Sequence, residues 1–342
     1  MYKISLDNLN SLFSAIAEKQ GLYLPVDTEA GAKFERWEEG KELSDRLNTV
    51  RSPKDFFFPQ TENLMDFKVE GKSVEIIDTR SECEDFVIFG IRGCDVKSFE
   101  VLDRVFLADP IDTYYENRRK HSTIVSMACT RPVETCFCHT FGIDASEPEG
   151  DVVCYKTEDT LYLDAKTDKG VALLDGISGV LSESDDTAVD EQKKMIAERM
   201  EKLPLANLSA DKFGADKTKE FFDRPEWSEL SQSCLGCGTC TFVCPTCQCY
   251  DIKDFNTGHG IKRFRCWDSC MYSDFTKMSA GQPRLTQLER FRQRFMHKLV
   301  YFPANNNGMY SCVGCGRCVE KCPSSLNIVK VIKAFEKHGG EK

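Results

Sequence analysis

The chain has 342 residues, a formal charge of −10 and a hydrophobic share of 41%, which fits an ordinary globular protein of about two domains. The acidic balance speaks against non-specific nucleic-acid binding, and no run approaches the ~20 apolar residues of a membrane span. Eighteen cysteines are present. With no charged-then-apolar leader behind Met1 and enough chain for a core without disulfide staples, the expected compartment is the cytoplasm. The expected use of the thiols is metal.

In chain order, Leu6, Leu9, Leu12, Phe13 and Ile16 follow helical spacing, with Ser5 as an N-cap and Gly21 as the stop. Short extended pieces and turns follow through Phe56, Phe57, Phe58 and Pro59. Strands are expected near 73–77 and 86–91, where β-branched residues rise. From Phe86 to Cys129 the pattern is a βαβ unit. An apolar strand ends at Arg92-Gly93-Cys94-Asp95, a helix carries Val96, Phe99, Leu102 and Phe106, and a second strand, 124–127, ends at Cys129. If those strands are parallel neighbours, Cys94 and Cys129 share the carboxyl edge of a sheet, where ligands usually bind. Cys136 and Cys138 follow on the adjoining loop. The four thiols are either a metal site or reduced thiols at a sheet edge, since free cysteine is often buried.

A strand is expected at 160–166, a helix at 191–202, and a domain boundary in the charged stretch 211–224. Beyond it stand two copies of C-x2-C-x2-C-x3-C-P. Cys234, Cys237, Cys240 and Cys244 close with Pro245; Cys312, Cys315, Cys318 and Cys322 close with Pro323. Three thiolates of such a run hold one [4Fe–4S] cube, and the fourth reaches the cube of the other run. The expected ligand sets are therefore Cys234, Cys237, Cys240 and Cys322 for the first, and Cys312, Cys315, Cys318 and Cys244 for the second. Zinc sites use pairs of C-x-x-C and need no third cysteine, nor a fourth before proline. The insertion between the runs is expected to be largely helical. Its tail, 288–301, should end before Pro303, and 305–308 should turn. The basic stretch from Arg284 to Lys298 is either a solvated helix face, a docking patch, or a counter-charge for reduced clusters.

Cys247, Cys249, Cys266 and Cys270 remain, and either hold a further metal or line the first clusters and tune them; tuning is the preferred reading. Cys83 and Cys154 have no partners by spacing. His121, His139, His259, His297 and His338 form no i, i+4 ligand pair. Neither a dinucleotide fingerprint nor a Walker loop is present. The chain reads as a carrier of electrons that makes no bonds itself.

Several motifs together resemble a known family: Arg92 to Asp95, the Tyr-Tyr…Arg-Arg stretch at 114–119, Cys136-Phe137-Cys138, Cys244-Pro245-Thr246-Cys247-Gln248-Cys249, Trp267-Asp268-Ser269-Cys270, Arg290-Phe291-Arg292-Gln293-Arg294 and the run from Cys312 to Cys318. From about residue 50 onward the chain is similar to the dicluster iron–sulfur subunits of anaerobic reductases, those of anaerobic sulfite reductase and the β subunit of sulfhydrogenases. The resemblance implies a third [4Fe–4S] cluster on Cys94, Cys129, Cys136 and Cys138. It implies a flavoprotein partner that oxidises NAD(P)H and a catalytic partner, either a sirohaem sulfite reductase (preferred) or a NiFe hydrogenase. Cys266 departs from the family pattern. An iron–sulfur redox sensor or scaffold is the alternative of another class. The expected fold is α+β, with an N-terminal α/β domain (1–224) and a mostly helical dicluster ferredoxin-like domain (225–342).

Overall fold

The computed structural model describes residues 1–337 apart from 47, 81, 82 and 186; His338 lies outside the described residues. Twelve strands occur among them: β1 (Tyr2–Ser5), β2 (Gly21–Thr28), β3 (Gly31–Arg36), β4 (Thr61–Glu70), β5 (Ser73–Asp78), β6 (Phe86–Ile91), β7 (Ser122–Met127), β8 (Val152–Lys156), β9 (Thr160–Ala165), β10 (Ser182–Glu183), β11 (Tyr250–Asn256) and β12 (Gly260–Trp267). The larger sheet has the order β10-β1-β9-β8-β7-β6-β2-β3. Its centre, β2, β6, β7 and β8, is parallel. Phe86–Ile91 and Ser122–Met127 are buried along their whole lengths, as strands covered on both faces must be.

Alternate residues of these strands feed two cores. Val87, Phe89 and Val125 pack under α1 (Leu9–Ala17) and near Leu173 and Leu174 of the helix 168–176. Ile88 and Ile124 point the other way, toward α2 (Gly93–Phe106) and α3 (Thr113–His121), with Phe57, Phe58, Phe99, Tyr115 and Trp267. Ser5 Oγ accepts from Asp7 N and opens a 3-10 turn that runs into α1, matching the expected cap. Asp112 caps α3 by accepting from the Tyr114 and Tyr115 N–H groups at 3.1 and 3.0 Å. The Tyr-Tyr…Arg-Arg stretch is bracing: Tyr115 Oη donates to Asp103 Oδ1 at 2.6 Å, and Arg119 pairs with the same carboxylate.

The second sheet corrects one expectation. Residues 250–267, expected to be helical, form the hairpin β11–β12, which continues into β4 and β5. Asn256-Thr257-Gly258-His259 supplies the turn, with Gly258 at φ +83°. Charged residues crowd both strands and hide the two-residue period, so the pairing is decided by β4, far upstream in the chain. The sheet takes two strands from each side of the expected boundary at 211–224. Arg265, buried at 2% exposure, ties it down by donating to Glu62 Oε2 at 2.6 Å and pairing with Asp112.

The remaining elements include α4 (Asp168–Gly176), α5 (Thr187–Glu201), α6 (Thr218–Phe221), α7 (Glu226–Gln232), α8 (Thr239–Phe242), α9 (Gln287–Met296), α10 (Phe302–Asn305), α11 (Arg317–Glu320) and α12 (Ile328–Lys337). A capping box, Thr286 with Glu289, opens α9. The expected stop before Pro303 does not occur. A wider π turn at His297–Tyr301 leads into α10, and Pro303 falls in its first turn, where the missing N–H is not needed. Trp227, Phe291, Phe295, Val331, Ile332 and Phe335 form the core here, and Phe137 from the sheet-edge loop is buried among them.

Candidate iron–sulfur site

The two cysteine runs fold alike. Gly236 and Gly238 take φ of +66° and +73°, and Gly314 and Gly316 take +60° and +78°. Each second glycine precedes a one-turn helix, α8 or α11, that carries Cys240 or Cys318 in its first turn. These two helices pack on each other. Cys312, Cys315, Cys318 and, from the other run, Cys244 line one cavity together with Phe137, Arg294 and Lys298. The structure thus brings together the four thiols named for the second set. Burial, partly opposed by Arg294, pushes the Cys240 thiol up to about 11, with Cys318, Cys234 and Cys244 adding to the rise. Cys322 packs on the same core as Cys234, and its thiol donates to Leu326 O at 3.1 Å. Cys237 is exposed and Leu235 nearby is 69% exposed, so the first run reaches the surface.

The four sheet-edge thiols come together from three separate segments. β6 and β7 are parallel neighbours, so Cys94, in the first turn of α2, and Cys129, two residues beyond β7, share one edge. Cys129 N donates to Ala145 O at 2.9 Å and Cys136 N to Val133 O at 2.9 Å, which holds the loops. All four are buried. Burial, then Cys129 and Cys136, push the Cys138 thiol up to about 12. Burial, then Asp95, Cys315 and Cys138, push Cys94 up. Crowded, desolvated thiols of this kind ionise when a metal takes the charge. Among the described residues no three Cys, His, Asp or Glu side chains converge closely enough for a single metal ion; ligands at the corners of an iron–sulfur cube stand further apart.

Cys94 also faces Cys315, and the loops carrying the two sets touch through their backbones. Phe137 N donates to Gly314 O at 3.0 Å. A Cβ on Gly314 would lie 2.3 Å from Phe137 O, and one on Gly316 would lie 2.6 Å from Thr135 O. Only glycine permits so close an approach. Arg317, between Gly316 and Cys318, forms a bidentate pair with Asp95 at 2.6 and 2.7 Å, both side chains being 2% exposed.

Three buried cations face the sulfurs. Arg294 Nη2 donates to Cys240 O at 3.1 Å, while its Nε and Nη1 have no hydrogen-bond partner among the described residues. Lys298 Nζ donates to Thr246 Oγ1 at 2.7 Å and Ser311 O at 2.8 Å. Lys54 Nζ donates to Cys247 O at 2.9 Å and stands 3.8 Å above the Trp267 ring. Burial opposes charge on Arg294 and Lys298, but the surrounding thiols, Cys240, Cys318, Cys244 and Cys247 among them, hold both above their usual range. On Lys54 burial wins and the shift is downward. Buried charge of one sign without a carboxylate is costly unless an anion completes the site. A thiolate-bound cluster would supply that anion, and the Arg294 Nε–H and Nη1–H groups would be available to its sulfurs. The basic stretch therefore divides: Arg294 and Lys298 turn inward as counter-charges, whereas Arg292 lies over Phe222 at 3.6 Å.

Residues 233–326 match a family model described as a 4Fe-4S dicluster domain. Subunit beta of sulfhydrogenase 2 from Pyrococcus furiosus is 32% identical over 335 residues, covering 96% of this chain and 96% of the relative. This chain belongs to the sulfhydrogenase β-subunit family of iron–sulfur proteins. No solved structure matches it. As a member of that family it carries [4Fe–4S] clusters and has an electron-transfer role. No helix among the described residues is long and apolar enough to cross a membrane.

The other cysteines of this chain are placed as follows. The Cys247 and Cys244 thiols act on each other's charge, as do those of Cys249 and Cys270. Cys266 lies on β12 opposite Thr61 and Asp251. Cys154 is buried in β8, and Cys83 is half-buried with its thiol toward Glu84 O. Both ring nitrogens of His139, next to Cys138, are buried without a protein partner. Lys54 escaped the sequence reading; a single lysine between Pro53 and Asp55 carries no local signal.

Proposed function

We propose that the chain relays electrons through three [4Fe–4S] clusters, from a flavoprotein partner that oxidises NAD(P)H to a catalytic partner. Cys234, Cys237, Cys240 and Cys322 hold the first, Cys312, Cys315, Cys318 and Cys244 the second, and Cys94, Cys129, Cys136 and Cys138 the third. Each cluster supplies a one-electron couple whose potential follows its charge, sulfur hydrogen bonds and exposure. The observation that carries this reading is contiguity. Cys94 faces Cys315, and Cys318 and Cys244 face Cys240, which supports a path with the second set between the other two. The exposed loop around Leu235 and Cys237 is one end of the path. The cleft lined by Arg92, Thr130, Arg131, Lys156 and Arg199, beside Cys129, is the other. The relative's name favours a hydrogenase-type catalytic partner over the sulfite reductase expected from the motifs.

Cys94→Ala tests the reading. Electron transfer between the two partners is expected to fall to near background, while the spectrum of the two ferredoxin-type clusters persists. Transfer at the wild-type rate would contradict it.

A further inference from the structure

Cys249 and Cys270 belong to neither ferredoxin run nor to the sheet-edge set, yet the fold delivers them to each other. Cys249 immediately precedes β11 and Cys270 lies just beyond β12, so the pairing of Tyr250 with Trp267 closes the hairpin base beside both. That base is held on several sides. Asp268 N donates to Cys249 O at 2.9 Å. Ser269 Oγ accepts from Thr241 Oγ1 at 2.9 Å and from Met271 N at 3.1 Å. Trp267 Nε1 donates to Phe58 O at 3.1 Å. The two thiols act on each other's charge across the hairpin base. Both side chains are half-buried, so reagents and protons reach them.

Three cations stand beside the pair. Lys298 faces both thiols, Lys54 faces Cys249 and Arg294 faces Cys270. None of the three cations forms a salt bridge among the described residues. Arg294 also faces Cys240, Cys318 and Cys244, which places the pair one side chain away from both ferredoxin-type sets. A structural zinc takes four ligands, and among the described residues no three Cys, His, Asp or Glu side chains converge closely enough for one ion. A cationic surrounding favours thiolate, the form that attacks in thiol–disulfide chemistry.

We propose that Cys249 and Cys270 form a redox-active pair that cycles between dithiol and disulfide beside the ferredoxin-type clusters. Oxidation forms one S–S bond and releases two protons and two electrons; reduction breaks the bond and takes them back. The electron co-reactants are one-electron iron–sulfur centres of this chain, used twice per cycle, and this part rests on the relay reading above. The pair gives a path of single-electron carriers a place to hold two electrons together.

The test uses the whole chain, purified anaerobically with its clusters and poised with redox mediators over a range of potentials. Samples are quenched in acid with an alkylating agent, digested and analysed by mass spectrometry for the Cys249–Cys270 linked peptide. The linked-to-free ratio is expected to change tenfold per about 30 mV, the slope of a two-electron couple. The linked peptide should be absent from Cys270→Ser and Cys249→Ser, with the cluster spectra of at least one of these intact. Full alkylation of both thiols at every potential the clusters survive would overturn the proposal. So would a native mass showing a metal held by the pair. A linked peptide reduced only by added thiol would overturn the coupling to the clusters. Cys94→Ala probes the relay separately and should leave the linked-peptide curve unmoved.

Discussion

Lys298→Met is expected to lower the midpoint potential of the second ferredoxin-type cluster by about 100 mV. Lys298 is 3% exposed, held by Thr246 and Ser311, and faces the Cys244, Cys247 and Cys312 thiols. An electron added beside it is stabilised by its charge. Two unit charges ~7 Å apart at an effective dielectric of ~20 interact by about 2 kcal/mol. For a one-electron couple that is about 100 mV, since tenfold in equilibrium is about 59 mV. The reduced form loses this on substitution, so the potential must fall. Lys298→Arg keeps the charge and should retain most of the potential. Redox titration followed by electron paramagnetic resonance reads both, and a potential unchanged in Lys298→Met would show that the charge is screened.

The second large effect is expected at Asp95. With its carboxylate removed, Arg317 keeps only Thr49 as hydrogen-bond partner among the described residues, through Nε to Thr49 O at 2.9 Å and Nη2 to Thr49 Oγ1 at 3.3 Å. Breaking a buried pair on one side costs about 3–5 kcal/mol, because a charge is left buried and uncompensated. The pair also joins the helix turn that carries Cys94 to the loop that carries Cys315. Asp95→Ala should therefore unfold at lower denaturant and bleach first in the sheet-edge cluster. The double variant Asp95→Leu, Arg317→Met should recover much of the loss, since apolar replacements of both partners are often neutral. Chemical denaturation followed by visible absorbance decides this. A loss under about 1 kcal/mol for Asp95→Ala would mean that the interface does not depend on the pair.

What the sequence discloses here is what local spacing encodes. The two cysteine runs, their glycines and the crossing of Cys244 toward Cys312 follow from a repeated motif. The strand–helix–strand pattern from Phe86 to Cys129 also suffices to place Cys94 and Cys129 on one sheet edge. Features set by distant partners are not legible in the same way. The hairpin 250–267 needs β4 to declare itself. Arg317 finds Asp95 across 222 positions, and Lys54 reaches Cys247 across 193. Pro303 fails as a stop because the π turn before it resets the helix. The pairing of Cys249 with Cys270 depends on the hairpin, and so lay beyond any reading that took the insertion as helical.

The most direct measurement is iron and acid-labile sulfide per chain on anaerobically purified protein. Three clusters give about twelve of each. That result would support a path running from the sheet-edge thiols through the second set to the exposed first run. About eight would contradict it, leaving Cys94, Cys129, Cys136 and Cys138 as ordinary buried thiols and the electron path confined to the dicluster domain.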